Sequence, residues 1–233
     1  MENGAVFLDK EECRHAFSAV RAAQDQMLRV TDGKGRIFEC RVARRIKDGA
    51  ELSVEKQLTI ERATPEVRMC VGLCDKEEFG QLAQDLAALG AAAIVPVLCE
   101  SCREPWWRAW EKHEARLCSK MVAGIKQARS AWLPLLARPT AFSEALSAGE
   151  GCPVLVADEK GAPLPLAAGA VQGASVVSCF VGPPGGFSPK ESAALASRKA
   201  FSVSLSGNRL RTELAAVVLC GFVRSSALPE NRR

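Results

Sequence analysis

The chain of 233 residues contains no apolar run long enough to cross a bilayer, so a membrane-spanning helix is excluded. Its opening, MENGAVFLDKEE, lacks a basic stretch followed by an apolar one, and no secretory leader is expected. Histidine is scarce, with only His15 and His113. A zinc site needs cysteines or histidines in close pairs. The one close pair, Cys99-Glu-Ser-Cys102, has no second pair or histidine to complete it. No metal is therefore expected. The ten cysteines are mostly scattered through apolar segments and read as reduced, buried thiols. The Lys-Ser/Thr pair of a P-loop is absent, and so is the G-x-G-x-x-G spacing of a dinucleotide fold, which argues against both of those enzyme classes. There is no internal repeat and no low-complexity segment.

What is present fits a globular protein with one large or two small domains. Hydrophobic residues make up 48% and charged residues 25%, and the net charge is +4. That balance permits contact with RNA without arguing for it.

Two stretches stand out. Ala174–Val181 (ASVVSCFV) reads as a buried strand. It runs into Gly182, Pro183, Pro184, Gly185 and Gly186, where glycine permits positive φ and proline excludes helix. A helix then starts, with Ser188 as cap, Pro189 in the first turn and Glu191 completing a capping box. The second stretch repeats the plan. Phe201–Leu205 alternates like a strand, Ser206-Gly207-Asn208 breaks it, and Leu214–Val223 is an apolar helix. Arg209, Arg211 and Glu213 lie between, where an α/β crevice takes its ligand. A tight strand-to-helix turn explains either loop alone. Two in succession, the second carrying Arg-x-Arg-Thr-Glu, point to a site.

These stretches resemble the RsmE family of SPOUT-class RNA methyltransferases. That family carries G-P-E-G-G-F-S-x-x-E and then L-G-x-x-R-L-R-T-E-T-A. Gly182, Pro183, Gly185, Gly186, Phe187, Ser188 and Glu191 match the first motif. Leu205, Arg209, Leu210, Arg211, Thr212, Glu213 and Ala215 match the second. Pro184, Ser206 and Leu214 depart from it, standing where the family has Glu, Gly and Thr. The resemblance implies an α/β fold: a SPOUT-type parallel sheet tied in a trefoil knot, with helices on both faces, preceded by a small PUA-like β-barrel. The expected domains are 1–68 and 69–233. It also implies S-adenosyl-L-methionine as cofactor, a uridine N3 in small-subunit ribosomal RNA as target, a homodimer and a cytoplasmic location. The substrate is the free RNA or the assembled small subunit. The residues carried over for the cofactor are Gly182, Pro183, Gly185, Gly186, Phe187, Leu205, Ser206, Asn208, Leu210 and Thr212.

Residues before 70 read as β-rich. A helical turn or two is expected over Glu12–Val20, and Asp32-Gly33-Lys34-Gly35 is a hairpin turn. Beyond it, Phe38, Cys40 and Val42 alternate with Ile37, Glu39, Arg41 and Ala43. His15, Val20, Arg21, Asp32, Gly33 and Gly35 loosely match the family's first domain. Arg41, Arg44, Arg45 and Lys47 form its best basic patch, either a grip on phosphate or a solvated hairpin face. The second domain opens with Arg68–Leu73 as a strand, Phe79–Leu89 as a helix stopped by Gly90, and Ala91–Val97 as a strand ending at Pro96. That run argues for a parallel sheet with right-handed crossovers. Here the resemblance is moderate: Asp85, Ala88 and Ser101 replace the family's Lys, Glu and Arg. A long helix is expected over Trp106–Ala128. Trp106 and Trp107 are core or interface aromatics, with RNA stacking as the alternative. Gln127 is a further RNA-site candidate, from its match to a family K-Q-S segment. Pro153–Ala157 is a strand with Asp158–Gly161 as its exit turn, and Gly161–Gly173 reads as irregular surface.

Methyl transfer to N3 is mostly a matter of positioning, because the displacement is in line. The base must be unstacked to expose N3. As the N3 proton leaves, charge spreads to the carbonyl oxygens, and an arginine aimed at them stabilises it. Arg211 is the first candidate and Arg209 the second. Glu213 either accepts the proton or orients Arg211. The orienting role is favoured, since a carboxylate beside an arginine is a weaker base. A structural ion pair at a helix start accounts for the same residues without chemistry. Two rival functions stay open: an RNA-binding relative that has lost the transfer, and a SPOUT methyltransferase with another RNA target.

Overall fold

The computed structural model describes residues 5–14, 16, 17, 27–103 and 105–226. The chain divides into two compact units, Met1–Glu61 and Arg62–Arg233.

The first unit holds strands β1 (Ala5–Asp9), β2 (Leu28–Thr31), β3 (Arg36–Ile46) and β4 (Gly49–Thr59), with the short helix α1 (Lys10–Arg14). They form an antiparallel four-stranded sheet in the order β1-β4-β3-β2. The β2–β3 turn is the expected one. Gly33 and Gly35 take φ of 68° and 93°, where a side chain is strained. Asp32 Oδ1 accepts from the amides of Lys34 at 2.8 Å and Arg36 at 3.1 Å, which closes the turn. The alternation along β3 also holds: Phe38 and Cys40 are buried with Leu8, Ala50 and Leu52. Of the helix expected over Glu12–Val20, Glu12–Arg14 belong to α1 and Ala16 and Phe17 are in a helical turn, while His15 and residues 18–20 lie outside the described residues.

The second unit is a parallel sheet with helices on both faces. Its strands are β5 (Glu66–Gly72), β6 (Ala93–Leu98), β7 (Leu135–Leu136), β8 (Thr140–Ala141), β9 (Val154–Pro163), β10 (Val176–Val181) and β11 (Phe201–Ser204). The order is β11-β9-β10-β5-β6-β7, with β8 pairing β6. The helices are α2 (Lys76–Leu89), α3 (Trp110–Ala128), α4 (Phe142–Ser147), α5 (Ala167–Val171), α6 (Pro189–Ser197) and α7 (Thr212–Ser226). Alternate strand residues go to opposite faces. Val67, Met69 and Val71 of β5 join Phe79, Leu82, Leu86 and Leu219 from the α2 and α7 side. Cys70 between them joins Phe142, Phe180 and Leu195 on the α4 and α6 side. Continuous apolar strands are what a sheet covered on both faces requires. The division into compact units falls between Glu61 and Arg62, a few residues before the expected 68/69, and β5 begins at Glu66.

Three expectations are revised. β6 does not stop at Pro96 but runs on to Leu98. Ile94 O accepts from Ala137 on the outer side, and Val97 O from Leu73 on the β5 side. Pro96 therefore turns its missing N–H outward, where pairing is interrupted between β7 and β8. Asp158–Gly161 is not an exit turn, because β9 continues to Pro163 and pairs with β11 through a register shift at Ser202/Val203. Gly161–Gly173 is not irregular: a 3-10 turn at Leu164–Leu166 leads into α5.

The long helix has two parts, a 3-10 turn at Trp106–Ala109 and then α3. Trp106 packs inward, with Nε1 donating to Cys74 O at 2.9 Å and its ring 5.5 Å from that of Phe79. Trp106 is half-buried and packs against the core, as the core reading expects. Asp75 caps α2 through the amide of Glu77 at 2.8 Å, and Gly90 ends it at φ 80°.

Candidate active site

The glycine loop and the Arg-x-Arg-Thr-Glu segment meet at the carboxyl ends of β10, β9 and β11. Together they enclose a pocket of about 750 Å3. From the first loop, Gly182, Pro183, Pro184, Gly186 and Phe187 line it. From the second, Leu205, Ser206, Asn208, Arg209, Leu210, Arg211, Thr212 and Glu213 do so. Of the candidates in these two segments, Gly185 alone stands apart. Its space is taken by Ser101, whose Cβ would lie 3.0 Å from a Cβ placed on Gly185.

The loop's shape follows from its residues. Gly186 has φ 74° and open space around its α-carbon. Its amide closes a turn onto Pro183 O at 2.7 Å. Ser188 and Glu191 form the expected capping box of α6: Ser188 Oγ accepts from Glu191 N, and Glu191 Oε2 accepts from Ser188 N at 2.8 Å. Glu191 is 4% exposed, and its second oxygen accepts from Glu100 N at 2.9 Å. Ser101 Oγ donates to Gly186 O. The Glu100-Ser101 turn after β6 thus braces the glycine loop, a role the sequence pattern does not signal. Thr212 is buried and donates to Gly182 O at 2.9 Å, which locks the second segment onto the first.

The charged residues sit at the rim. Arg211 Nη1 donates to Glu78 Oε1 at 3.0 Å, and its Nε lies 2.9 Å from Glu213 Oε1. The second contact is an ion pair without hydrogen-bond alignment, since Glu213 Oε1 has no aligned donor. The Arg211 guanidinium is thus shared between two carboxylates. Glu78, on α2, was not legible as a site residue because 133 positions separate it from Arg211. Arg209 lies 3.3 Å from Glu159 on β9 and reaches Pro184 O at 3.5 Å.

Cys74 joins this group. The ligand atoms of Cys74, Glu78 and Glu213 lie within 4.8 Å of one another. Burial, with the carboxylates of Glu213 and Glu78 adding to it, pushes the Cys74 thiol up to about 12. Arg211 already supplies a cation to both carboxylates.

The RNA candidates Arg41, Arg44, Arg45, Lys47 and Gln127 are not among the pocket's lining residues. Gln127 is exposed in the last turn of α3 and does not line the pocket. Arg21 lies outside the described residues. Arg41, Arg44 and Arg45 are on β3, and Lys47 is in the turn after it. The patch is partly neutralised: Arg44 lies 3.4 Å from Glu51 and Arg41 4.0 Å from Glu55. The Arg45 guanidinium covers the Phe17 ring at 4.0 Å.

Residues 61–224 match the model of the RNA methyltransferase domain family. The chain is 30% identical over 230 residues to ribosomal RNA small subunit methyltransferase E of Mycobacterium bovis, covering 95% of this chain and 87% of that one. It belongs to the ribosomal RNA small subunit methyltransferase E family. Among solved structures, the fold is similar to that of the Neisseria gonorrhoeae ribosomal RNA small subunit methyltransferase E bound to S-adenosyl methionine. The TM-score is 0.82 at 22% identity, over 95% of this chain and 91% of that one. A probable rRNA methyltransferase from Porphyromonas gingivalis gives 0.80 at 21% identity, over 97% and 94%. The SPOUT-type fold is thus shared.

Set against that methyltransferase family, the departures in this chain fall into two groups. Pro184 and Ser206 line the pocket. Among the described residues the non-glycine positions with positive φ are Arg129 and Lys199, so the backbone of Ser206 accepts a side chain. Asp85 is away from the pocket and accepts from Gln81 Nε2 at 3.0 Å. Ala88 does not line it either, and Leu214 is exposed on α7.

Proposed function

We propose that this chain transfers a methyl group from S-adenosyl-L-methionine to N3 of a uridine in small-subunit ribosomal RNA. The reading is carried by the pocket between the two strand-exit loops, with Arg211 held at its rim by Glu78 and Glu213. The relatives' names supply the RNA class, and the gonococcal relative is bound to S-adenosyl methionine.

The pocket's residues fit that cofactor. Val181, Leu195, Leu205, Leu210 and Ala215 give an apolar lining suited to an adenine ring. Gly186, at positive φ with nothing within 4 Å of an added Cβ, leaves the space over its α-carbon open to a ligand. Gly182, Pro183, Phe187, Ser206, Asn208 and Thr212 complete the wall, and Gly185 acts through its packing on Ser101.

S-adenosyl-L-methionine supplies an electrophilic methyl group. The chain's own residues hold the base and manage its charge. Arg211 engages Glu213 through Nε and Glu78 through Nη1, which leaves Nη2 to meet a uracil carbonyl as N3 loses its proton. Glu78 and Glu213 fix the guanidinium before the base arrives, so little reorganisation is needed. Arg209, tethered to Glu159 and Pro184 O, supports the RNA backbone or the second carbonyl. Arg21, Arg41, Arg44, Arg45, Lys47 and Gln127 are assigned to RNA contacts, where cationic side chains add affinity without reading bases. The working form is inferred to be a cytoplasmic homodimer, a reading supported by the family resemblance.

The test is transfer of radiolabelled methyl to small ribosomal subunits from cells lacking this protein. The digest is then resolved to identify the nucleoside. Label in 3-methyluridine with the wild-type chain supports the reading. Label in another nucleoside replaces the target, and label nowhere despite cofactor binding moves the substrate elsewhere.

A further inference from the structure

Cys99 and Cys102 bracket the turn that follows β6. Cys102 N donates to Cys99 O at 3.0 Å. A turn closed by that bond brings its end α-carbons within about 7 Å, and disulfides span roughly 4.4–6.8 Å. The Cys102 side chain folds back over the turn, with Sγ 3.4 Å from Cys99 N and 3.6 Å from Val97 O. Cys99 is 7% exposed, and Cys102 is half-buried.

The pair differs from the other thiols. Burial pushes Cys70, Cys74 and Cys220 up to about 12, so they stay protonated at neutral pH. The closeness of the two thiols lowers the Cys102 pKa and raises that of Cys99. A partly exposed thiol of lowered pKa beside a second thiol is the starting arrangement for thiol–disulfide exchange.

The two residues inside the turn are those that brace the pocket. Glu100 N donates to Glu191 Oε1 at 2.9 Å, and Ser101 Oγ donates to Gly186 O. Ser101 also packs on Gly185, so the turn and the glycine loop move together.

We propose that Cys99 and Cys102 are a thiol-modification site, closed to a disulfide by a glutathione-type disulfide oxidant, and that closure resets the brace on the glycine loop. The Cys102 thiolate attacks one sulfur of glutathione disulfide, and a glutathione thiolate leaves. Cys99 then gives its proton to solvent and attacks the Cys102 sulfur, which expels the second glutathione. Two protein thiols are oxidised to one S–S bond, and one glutathione disulfide is reduced to two thiols. Bringing the sulfurs to about 2.05 Å draws Cys102 away from Val97 O and shifts Ser101 against Gly186. The effect on cofactor rests on the pocket being the S-adenosyl-L-methionine site. The disulfide itself does not.

The full chain is equilibrated in reduced and oxidised glutathione, alkylated, and mapped by mass spectrometry. Cofactor binding by calorimetry and hydrogen exchange of residues 182–191 are compared in both states. The expected result is a Cys99–Cys102 disulfide reversed by dithiothreitol, faster exchange in the loop, and binding weakened about tenfold, the scale of one lost hydrogen bond. Cys102→Ser shows no oxidant-dependent change. Thiols that stay reduced in excess glutathione disulfide overturn the proposal, as does oxidation confined to other cysteines. A closed pair with unchanged loop exchange overturns the brace. If the reduced chain binds no cofactor, the pocket assignment fails, while mapping and exchange still decide the site.

Discussion

Nη1 of Arg211 lies 3.0 Å from Oε1 of Glu78, so the start of α2 reaches the segment leading into α7. With Glu213 at 2.9 Å, this gives an exposed arginine a defined direction. Arg211→Ala should lower the single-turnover methyl-transfer rate by about 10²–10³, the usual cost of one transition-state donor. Cofactor affinity should change little. Glu78→Gln should lower the same rate by about tenfold or less, because an exposed ion pair positions weakly. In Arg211→Ala, the Glu78 change should have no further effect. Rapid-quench assays of the two single variants and the double variant check this.

Gly72 and Gly186 should respond differently to the same substitution. A Cβ on Gly72 would lie 2.3 Å from Pro183 N, at the root of the glycine loop. Gly72→Ala should therefore destabilise the fold by about 3 kcal/mol and disturb cofactor binding. A Cβ on Gly186 meets nothing within 4 Å, but φ is 74°. Gly186→Ala should cost about 1–2 kcal/mol from backbone strain alone. Denaturant unfolding separates the two.

Glu191 is a buried carboxylate serving two amides, Ser188 N at 2.8 Å and Glu100 N at 2.9 Å. Glu191→Ala leaves both without a partner, at about 3 kcal/mol. Ser188→Ala removes only the cap of α6 and should cost about 1 kcal/mol. A ratio near one between the two losses would show that the Glu100 contact contributes nothing.

Asp32 makes the β2–β3 turn sensitive to acid. Burial opposes its ionisation, but the amides of Lys34 and Arg36 and the Arg36 guanidinium outweigh that and lower its pKa. A lowered carboxyl contributes stability that is present above the unfolded pKa of about 3.9 and lost as pH falls through the folded value. Asp32→Asn should remove that acid-dependent loss and cost about 1 kcal/mol at neutral pH, since Arg36 is partly exposed. Unfolding of both proteins between neutral and strongly acidic pH tests it.

Much of this was legible locally. The hairpin at Asp32–Gly35, the Gly90 stop and the Ser188 capping box depend on φ preferences and bonds within a few residues, so composition reveals them. The pocket's main walls were legible for the same reason: two strand-exit loops carry the motif residues in sequence order. Pro96 and Asp158–Gly161 misled because both look like strand ends. Neighbouring strands decide where pairing stops, and at Pro96 the outer neighbour is interrupted. Trp106 was ambiguous until its Nε1 found Cys74 O.

By itself, then, the sequence determined the β-rich first unit, the parallel α/β second unit and the glycine loop, since periodicity and turn chemistry act over short range. Only the tertiary structure decided that Glu78 holds Arg211, that Glu100 and Ser101 brace the glycine loop, and that Thr212 ties the two site segments together. Those contacts join residues far apart in the chain, and no local preference specifies a partner that the packing of the sheet must first bring within reach.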